Sequence, residues 1–192
     1  MEAEEKLVLL TRVARALNAA HVVWAVGASA LLYLEGVAED FEDFDLLIAP
    51  ESLSAAENAF HVLGAVRHAP APPVAAYATG SFVEYELRGV EFDLLCDFAI
   101  RRKDAVYRYP FGLERIAGST VLHGERVPLC PLADWMVLYL LMPGRSKKAA
   151  LISRYLKTNQ RGDCRAWLSH WLRGRLPGEV RESVMTLYNA LA

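Results

Sequence analysis

Carboxylates recur on a two-residue beat in two short segments, Glu42-Asp43-Phe44-Asp45-Leu46-Leu47-Ile48 and Glu91-Phe92-Asp93-Leu94-Leu95-Cys96-Asp97. Both contain Phe-Asp-Leu-Leu. Successive side chains of a β-strand point to opposite faces. Phe44, Leu46, Ile48, Phe92, Leu94, Cys96 and Phe98 are therefore expected on one face, and Asp43, Asp45, Asp93 and Asp97 on the other. Two acidic-faced strands in one small domain let three carboxylates, Asp43, Asp45 and Asp93, share one or two Mg²⁺ ions. Two such ions about 3.5–4 Å apart stabilise both the attacking and the leaving oxygen of an in-line phosphoryl displacement. Asp93 is then placed to help deprotonate an acceptor hydroxyl. Asp97 is a rival for the third position, and Glu84 and Glu86 are weaker ones. The alternative for all these acids is a solvated, amphipathic sheet face with no site.

The elements that must position these side chains can be read around them. Leu7 to Ala20 repeats apolar residues at helical spacing. His21 to Val26 is continuously apolar and β-rich, as a buried strand is. Gly27-Ala28-Ser29 follows, and then a short helix from Ala30 to Leu34. Gly27 allows a tight turn and close backbone approach, while Ser29 can cap the helix or donate to a phosphate at its start. Pro50 and Ser52 open a further helix that closes at Gly64. Residues 69–80, rich in Pro and Ala, read as an irregular loop. Ser81–Arg88, Gly89-Val90 and the second acidic strand read as an antiparallel hairpin, and Val121–Leu129 as another. From Pro131 the character changes to four helices: Leu132–Met142, Lys147–Lys157, Asp163–Arg173 and Pro177–Leu191. The expected organisation is a core over residues 1–130 followed by a helical region over 131–192.

A chain of 192 residues with 54% hydrophobic content suits one well-cored domain with an appendage. No apolar run approaches the ~18 residues needed to span a bilayer, and the acidic start Met1-Glu2-Ala3-Glu4-Glu5-Lys6 is unlike a signal peptide, so a cytoplasmic protein without a membrane partner is expected. Cys96, Cys130 and Cys164 form no Cys-x-x-Cys pair and read as reduced, buried thiols. The net charge of −2 hides an asymmetry: residues 1–98 carry −11 and residues 99–192 carry +9. An acidic half can hold metal and a basic half can steer polyphosphate or nucleic acid, although opposite halves also simply attract each other. Arg101-Arg102-Lys103 reads as exposed charge rather than a polyphosphate grip. Trp167 and Trp171 read as a core stripe rather than a base-stacking surface.

The ordered set Val26-Gly27-Ala28-Ser29-Ala30-Leu31, Glu42 to Ile48 and Val90-Glu91-Phe92-Asp93-Leu94 resembles the polymerase-β-like nucleotidyltransferase superfamily. Pro128 to Asp134 and Gly144-Arg145-Ser146-Lys147-Lys148-Ala149 extend the likeness to its small abortive-infection-type members, over roughly residues 20–157. Two departures stand out. The glycine pair is loosened to Gly-Ala-Ser, and Lys148 is followed by Ala149-Ala150, whereas in those members a Lys-Asp pair commonly follows the Arg. The resemblance implies an α/β (α+β) fold, a mixed β-sheet with helices on one face and a C-terminal helical region. It implies Mg²⁺ or Mn²⁺ as cofactor and transfer of a nucleoside monophosphate from an NTP to a small-molecule, protein or RNA hydroxyl. Residue by residue, Gly27, Ser29 and Lys148 would contact the nucleotide, Asp43 and Asp45 would bind metal, and Asp93 would be metal ligand and base. The alternative is a catalytically inactive binding module on the same fold, such as half of a toxin–antitoxin pair with a small helical protein partner.

Overall fold

The computed structural model describes residues 2–70, 72–159 and 164–191. Ala71 of the Pro/Ala-rich loop and Asp163, expected to open a helix, lie outside them. The chain divides into two compact units, residues 1–130 and 131–192.

The first unit is built on a seven-stranded mixed sheet. Its strands are β1 (Trp24–Val26), β2 (Phe44–Ile48), β3 (Val66–Arg67), β4 (Ser81–Leu87), β5 (Val90–Cys96), β8 (Gly118–Leu122) and β9 (Glu125–Leu129), in the order β3-β4-β5-β2-β1-β9-β8. β2 and β5 run parallel, Phe44 facing Phe92 and Asp45 facing Asp93, while β1 and β2 run antiparallel with Val26 facing Leu46. A separate two-stranded sheet joins β6 (Ala99–Arg102) and β7 (Ala105–Arg108). The Arg101-Arg102-Lys103 run therefore belongs to a hairpin rather than to a loop alone.

Helices α1 (Ala3–Ala19), α2 (Ala28–Leu34) and α3 (Leu53–Val62) complete this unit. The Phe side of the two acidic strands is the core. Phe44 and Phe92 stack at 4.9 Å, and Phe60 of α3 meets Tyr85 at 4.8 Å and Phe92 at 5.6 Å. Phe44, Phe60 and Phe92 are fully buried, so each withdraws about 2 kcal/mol worth of apolar surface from water. This packing sets the register that aligns the acids, because a slip of one residue would turn every aromatic to the opposite face.

Strand ends depart from simple alternation. The His21–Val26 run forms a strand only from Trp24, since His21 takes a left-handed backbone with φ 52°. Asp97 is likewise left-handed, with φ 53°, so β5 ends at Cys96 and Asp97 is not carried onto the face of Asp93. On the hairpins the expected turns form: Arg88-Gly89 and His123-Gly124 have φ values of 54° and 80°, and 46° and 82°, the pattern of tight two-residue connections. All three cysteines are free and buried.

The second unit consists of α4 (Leu132–Leu141), α5 (Ser146–Asn159), α6 (Cys164–Arg173) and α7 (Gly178–Ala190). α4 is apolar around its whole circumference and buried along nearly all of it, as a central helix is. Its one acid, Asp134, is fully buried and accepts a 2.6 Å hydrogen bond from Trp171 Nε1 of α6. Trp171 is thus a core residue with a polar tip. Among the described residues no helix is long and apolar enough to cross a membrane.

Candidate active site

Sheet register assembles the acidic residues. Gly27 N donates to Asp45 O at 2.8 Å, Asp45 faces Asp93 across the β2–β5 pair, and Asp93 faces Glu84 across the β5–β4 pair. Residues directly opposite each other in a sheet share a face, so Gly27, Asp45, Asp93 and Glu84 form one row across four strand positions. Neighbouring strands lie about 4.8 Å apart, so two short carboxylate side chains from adjacent positions can reach one cation between them. Asp43 stands one residue before β2, and its Oδ1 accepts a 3.4 Å hydrogen bond from Ser29 Oγ. Gly27, Ser29, Asp43, Asp45 and Asp93 are therefore gathered at the place where β1 ends and β2 begins.

The row is electrostatically loaded. The carboxyl of Asp93 is pushed up to about 8, first by burial and then by the charges of Asp45, Asp43, Glu84 and Glu91. Both causes penalise the ionised form. A carboxylate held so far above its ordinary range between like charges marks a place where a cation, or a proton, is strongly favoured. The donors are hard carboxylate oxygens, which suit Mg²⁺ or Mn²⁺. As they stand, no three His, Cys, Asp or Glu side chains among the described residues close into a metal cage. The donor chemistry and the strand register fit the ion.

The turn that opens the site carries strain. Ala28 has φ 43° and is buried, a left-handed conformation that costs a residue with a Cβ about 1 kcal/mol or more. This is where the sequence departs from a glycine pair. Gly27 itself is extended, with φ −121° and ψ −166°.

Lys148 lies in the second unit on the first turn of α5, its Nζ 5.6 Å from the ring centroid of Tyr139. Two features of the site have little or no signature in the sequence. Glu84 continues the acidic row beside Asp93, and only the strand order places it there. Lys6 of α1 donates to Phe41 O at 2.9 Å and Glu42 O at 2.7 Å. A lone lysine in an amphipathic helix gives no signal of such a contact.

No family model matches this sequence, and no curated protein matches it. Solved structures do. A protein described as a candidate nucleotidyltransferase, TM1012 from Thermotoga maritima, shares 22% identity over 83% of this chain and 97% of its own, with a TM-score of 0.61. The antibiotic-resistance factor ANT(2'')-Ia, in a crystal complex with adenylyl-2''-tobramycin, is 14% identical over 97% of both chains, with a TM-score of 0.57. Its solution structure gives 0.59 at the same identity, over 99% of this chain and 96% of its own. Both likenesses run over nearly the whole length of the neighbour, and at these identities they speak for architecture. The chain shares its fold with these solved structures.

Proposed function

We propose that this protein is a nucleotidyltransferase that moves a nucleoside monophosphate from an NTP to a hydroxyl acceptor. The observation that carries the reading is the direct register of Asp45 with Asp93, one strand from the Gly27 turn. An acidic row that only burdened the fold would be self-repulsive, whereas a bound cation turns the same charges into ligands. Asp43 and Asp45 would hold Mg²⁺ or Mn²⁺, with Asp93 as third ligand; when bound, the ion supplies positive charge against the carboxylates and the triphosphate. Gly27 and Ser29 are assigned to phosphate contacts beside the row. For Lys148 the same role rests on the sequence resemblance alone.

The chemistry asked of the chain is modest. The acceptor oxygen bonds to the α-phosphorus while the bond from that phosphorus to the pyrophosphate oxygen breaks. The acceptor proton passes to a carboxylate oxygen of Asp93, and pyrophosphate leaves. Asp93 is suited to receive it by its place in the row, directly opposite Asp45. A small molecule, a protein side chain or an RNA end could each offer the hydroxyl; the ANT(2'')-Ia complex holds an adenylylated antibiotic, which makes small-molecule acceptors the first to try.

Thermal unfolding with each of the four NTPs, with and without Mg²⁺, tests the assignment. We expect at least one nucleotide to stabilise the wild type only when Mg²⁺ is present, and the Asp45→Ala, Asp93→Ala double variant to lose that response. An equal shift in the double variant removes the acidic row from the site. No shift with any nucleotide leaves the fold as a non-catalytic scaffold, and pyrophosphate release in acceptor mixtures then has no reason to be sought.

A further inference from the structure

We propose that Lys6 is a positioning residue for Asp43, an inference that rests on the reading of Asp43 as a metal ligand. The three acids are not held equally. Asp45 and Asp93 lie inside paired strands, but Asp43 precedes β2 and follows a stretch, residues 35–43, that belongs to no helix or strand. Its side chain has the long 3.4 Å contact with Ser29 Oγ. Something else must fix the backbone that carries it.

Lys6 does so at two consecutive carbonyls. Its ammonium donates to Phe41 O and to Glu42 O and sits 5.0 Å from the centroid of the Phe41 ring. Each carbonyl lies in a rigid peptide plane. The Phe41 carbonyl belongs to the plane that leads into Glu42, and the Glu42 carbonyl to the plane that ends on the Cα of Asp43. Holding both oxygens therefore sets the direction from which Asp43 leaves the chain. Phe41 is pinned in turn, with ring centroids 4.9 Å from Tyr33 and 5.0 Å from Phe44. The lysine, the aromatic cluster and the strand together form a bracket around one ligand-bearing residue.

The sign of the effect separates positioning from simple charge. Lys6 is a cation beside an acidic segment, so if it acted only through its field, its removal would tighten cation binding. If it positions Asp43, removal weakens cation binding, typically by roughly ten- to a hundredfold for a partner that orients a metal ligand.

Lys6→Met keeps the length and apolar stem and removes both donors. The Mg²⁺ concentration at half-maximal stabilisation by a non-hydrolysable ATP analogue is read for wild type, Lys6→Met and Lys6→Arg. We expect a midpoint raised roughly tenfold in Lys6→Met, with Lys6→Arg near wild type. An unchanged or lowered midpoint in Lys6→Met, with or without a lower melting temperature, overturns the inference while the site assignment stands. A wild type that shows no Mg²⁺-dependent response overturns the assignment and this inference with it. Lys6→Gln is read in the same way should Lys6→Met fail to fold.

Discussion

Asp93→Asn is the substitution whose effect on stability and on ion binding should run in opposite directions. In the folded protein the Asp93 carboxyl titrates near 8, against 3.8 for the free side chain. Below pH 4 both folded and unfolded chains hold this proton. As pH rises from about 4 towards 8, the unfolded chain releases it and the folded chain does not, so folding loses free energy across that window. Four pH units at 1.36 kcal/mol each would set a ceiling of about 5 kcal/mol. Asp93 is only half-buried, and solvent screening brings the expected loss to about 2 kcal/mol. The Asp93→Asn variant has no carboxyl proton to release at this position, so its stability should lack this slope. Urea unfolding of wild type and variant in EDTA, at pH 5 and pH 8.5, reads the difference, because groups remote from the acidic row cancel. We expect the variant to gain about 1.5 kcal/mol on the wild type between the two pH values, since about three of the four units lie between them. Adding Mg²⁺ at pH 8.5 should then restore the wild type and leave the variant unmoved. Parallel pH profiles, or a wild type that gains on the variant as pH rises, would refute the account of the acidic row.

The turn before the row and the helical unit offer two further checks. Ala28→Gly should be neutral or stabilising by up to about 1 kcal/mol, because relief of the left-handed strain offsets the entropy glycine loses on folding. Ala28→Val should destabilise, since a β-branched residue is a strong outlier at positive φ; urea midpoints in the opposite order would contradict the φ of 43°. Trp171→Phe removes the 2.6 Å donor to buried Asp134 and should lower stability by about 2 kcal/mol in urea unfolding, the usual scale for taking one partner from a buried hydrogen bond. A loss below about 0.5 kcal/mol would mean that Asp134 does not depend on that indole.

Much of the fold could be read from local chemistry. The aromatic alternation of β2 and β5, the two Gly-containing hairpin turns and the helical tail all follow from residue types within a few positions of each other. What escaped the sequence depends on distance or on burial from both sides. Leu47 and Leu95 lie on the acidic side of their strands by alternation, yet both are buried; a central strand is covered on both faces, so period-two patterning loses its meaning there. β6 and β7, Ala99–Arg108, carry too many charges to read as strands. The parallel pairing of β2 with β5 leaves no mark in either segment, and so the place of Glu84 in the row was hidden too. The anchoring of Asp43 by Lys6 spans more than thirty residues, and side-chain contacts to backbone oxygens have no sequence signature of their own.

That parallel pairing also governs when the acids first meet. Positions 45 and 93 are 48 residues apart in the chain, and their strands cannot be joined by a tight turn. Until that long loop closes, each carboxylate is an ordinary solvated group with an ordinary affinity for protons. Closure is where chain entropy and mutual repulsion fall due together. Divalent cations present at that moment would ease the docking of β5 against β2, so the ligand the finished protein is proposed to use would also act as an aid to its own assembly.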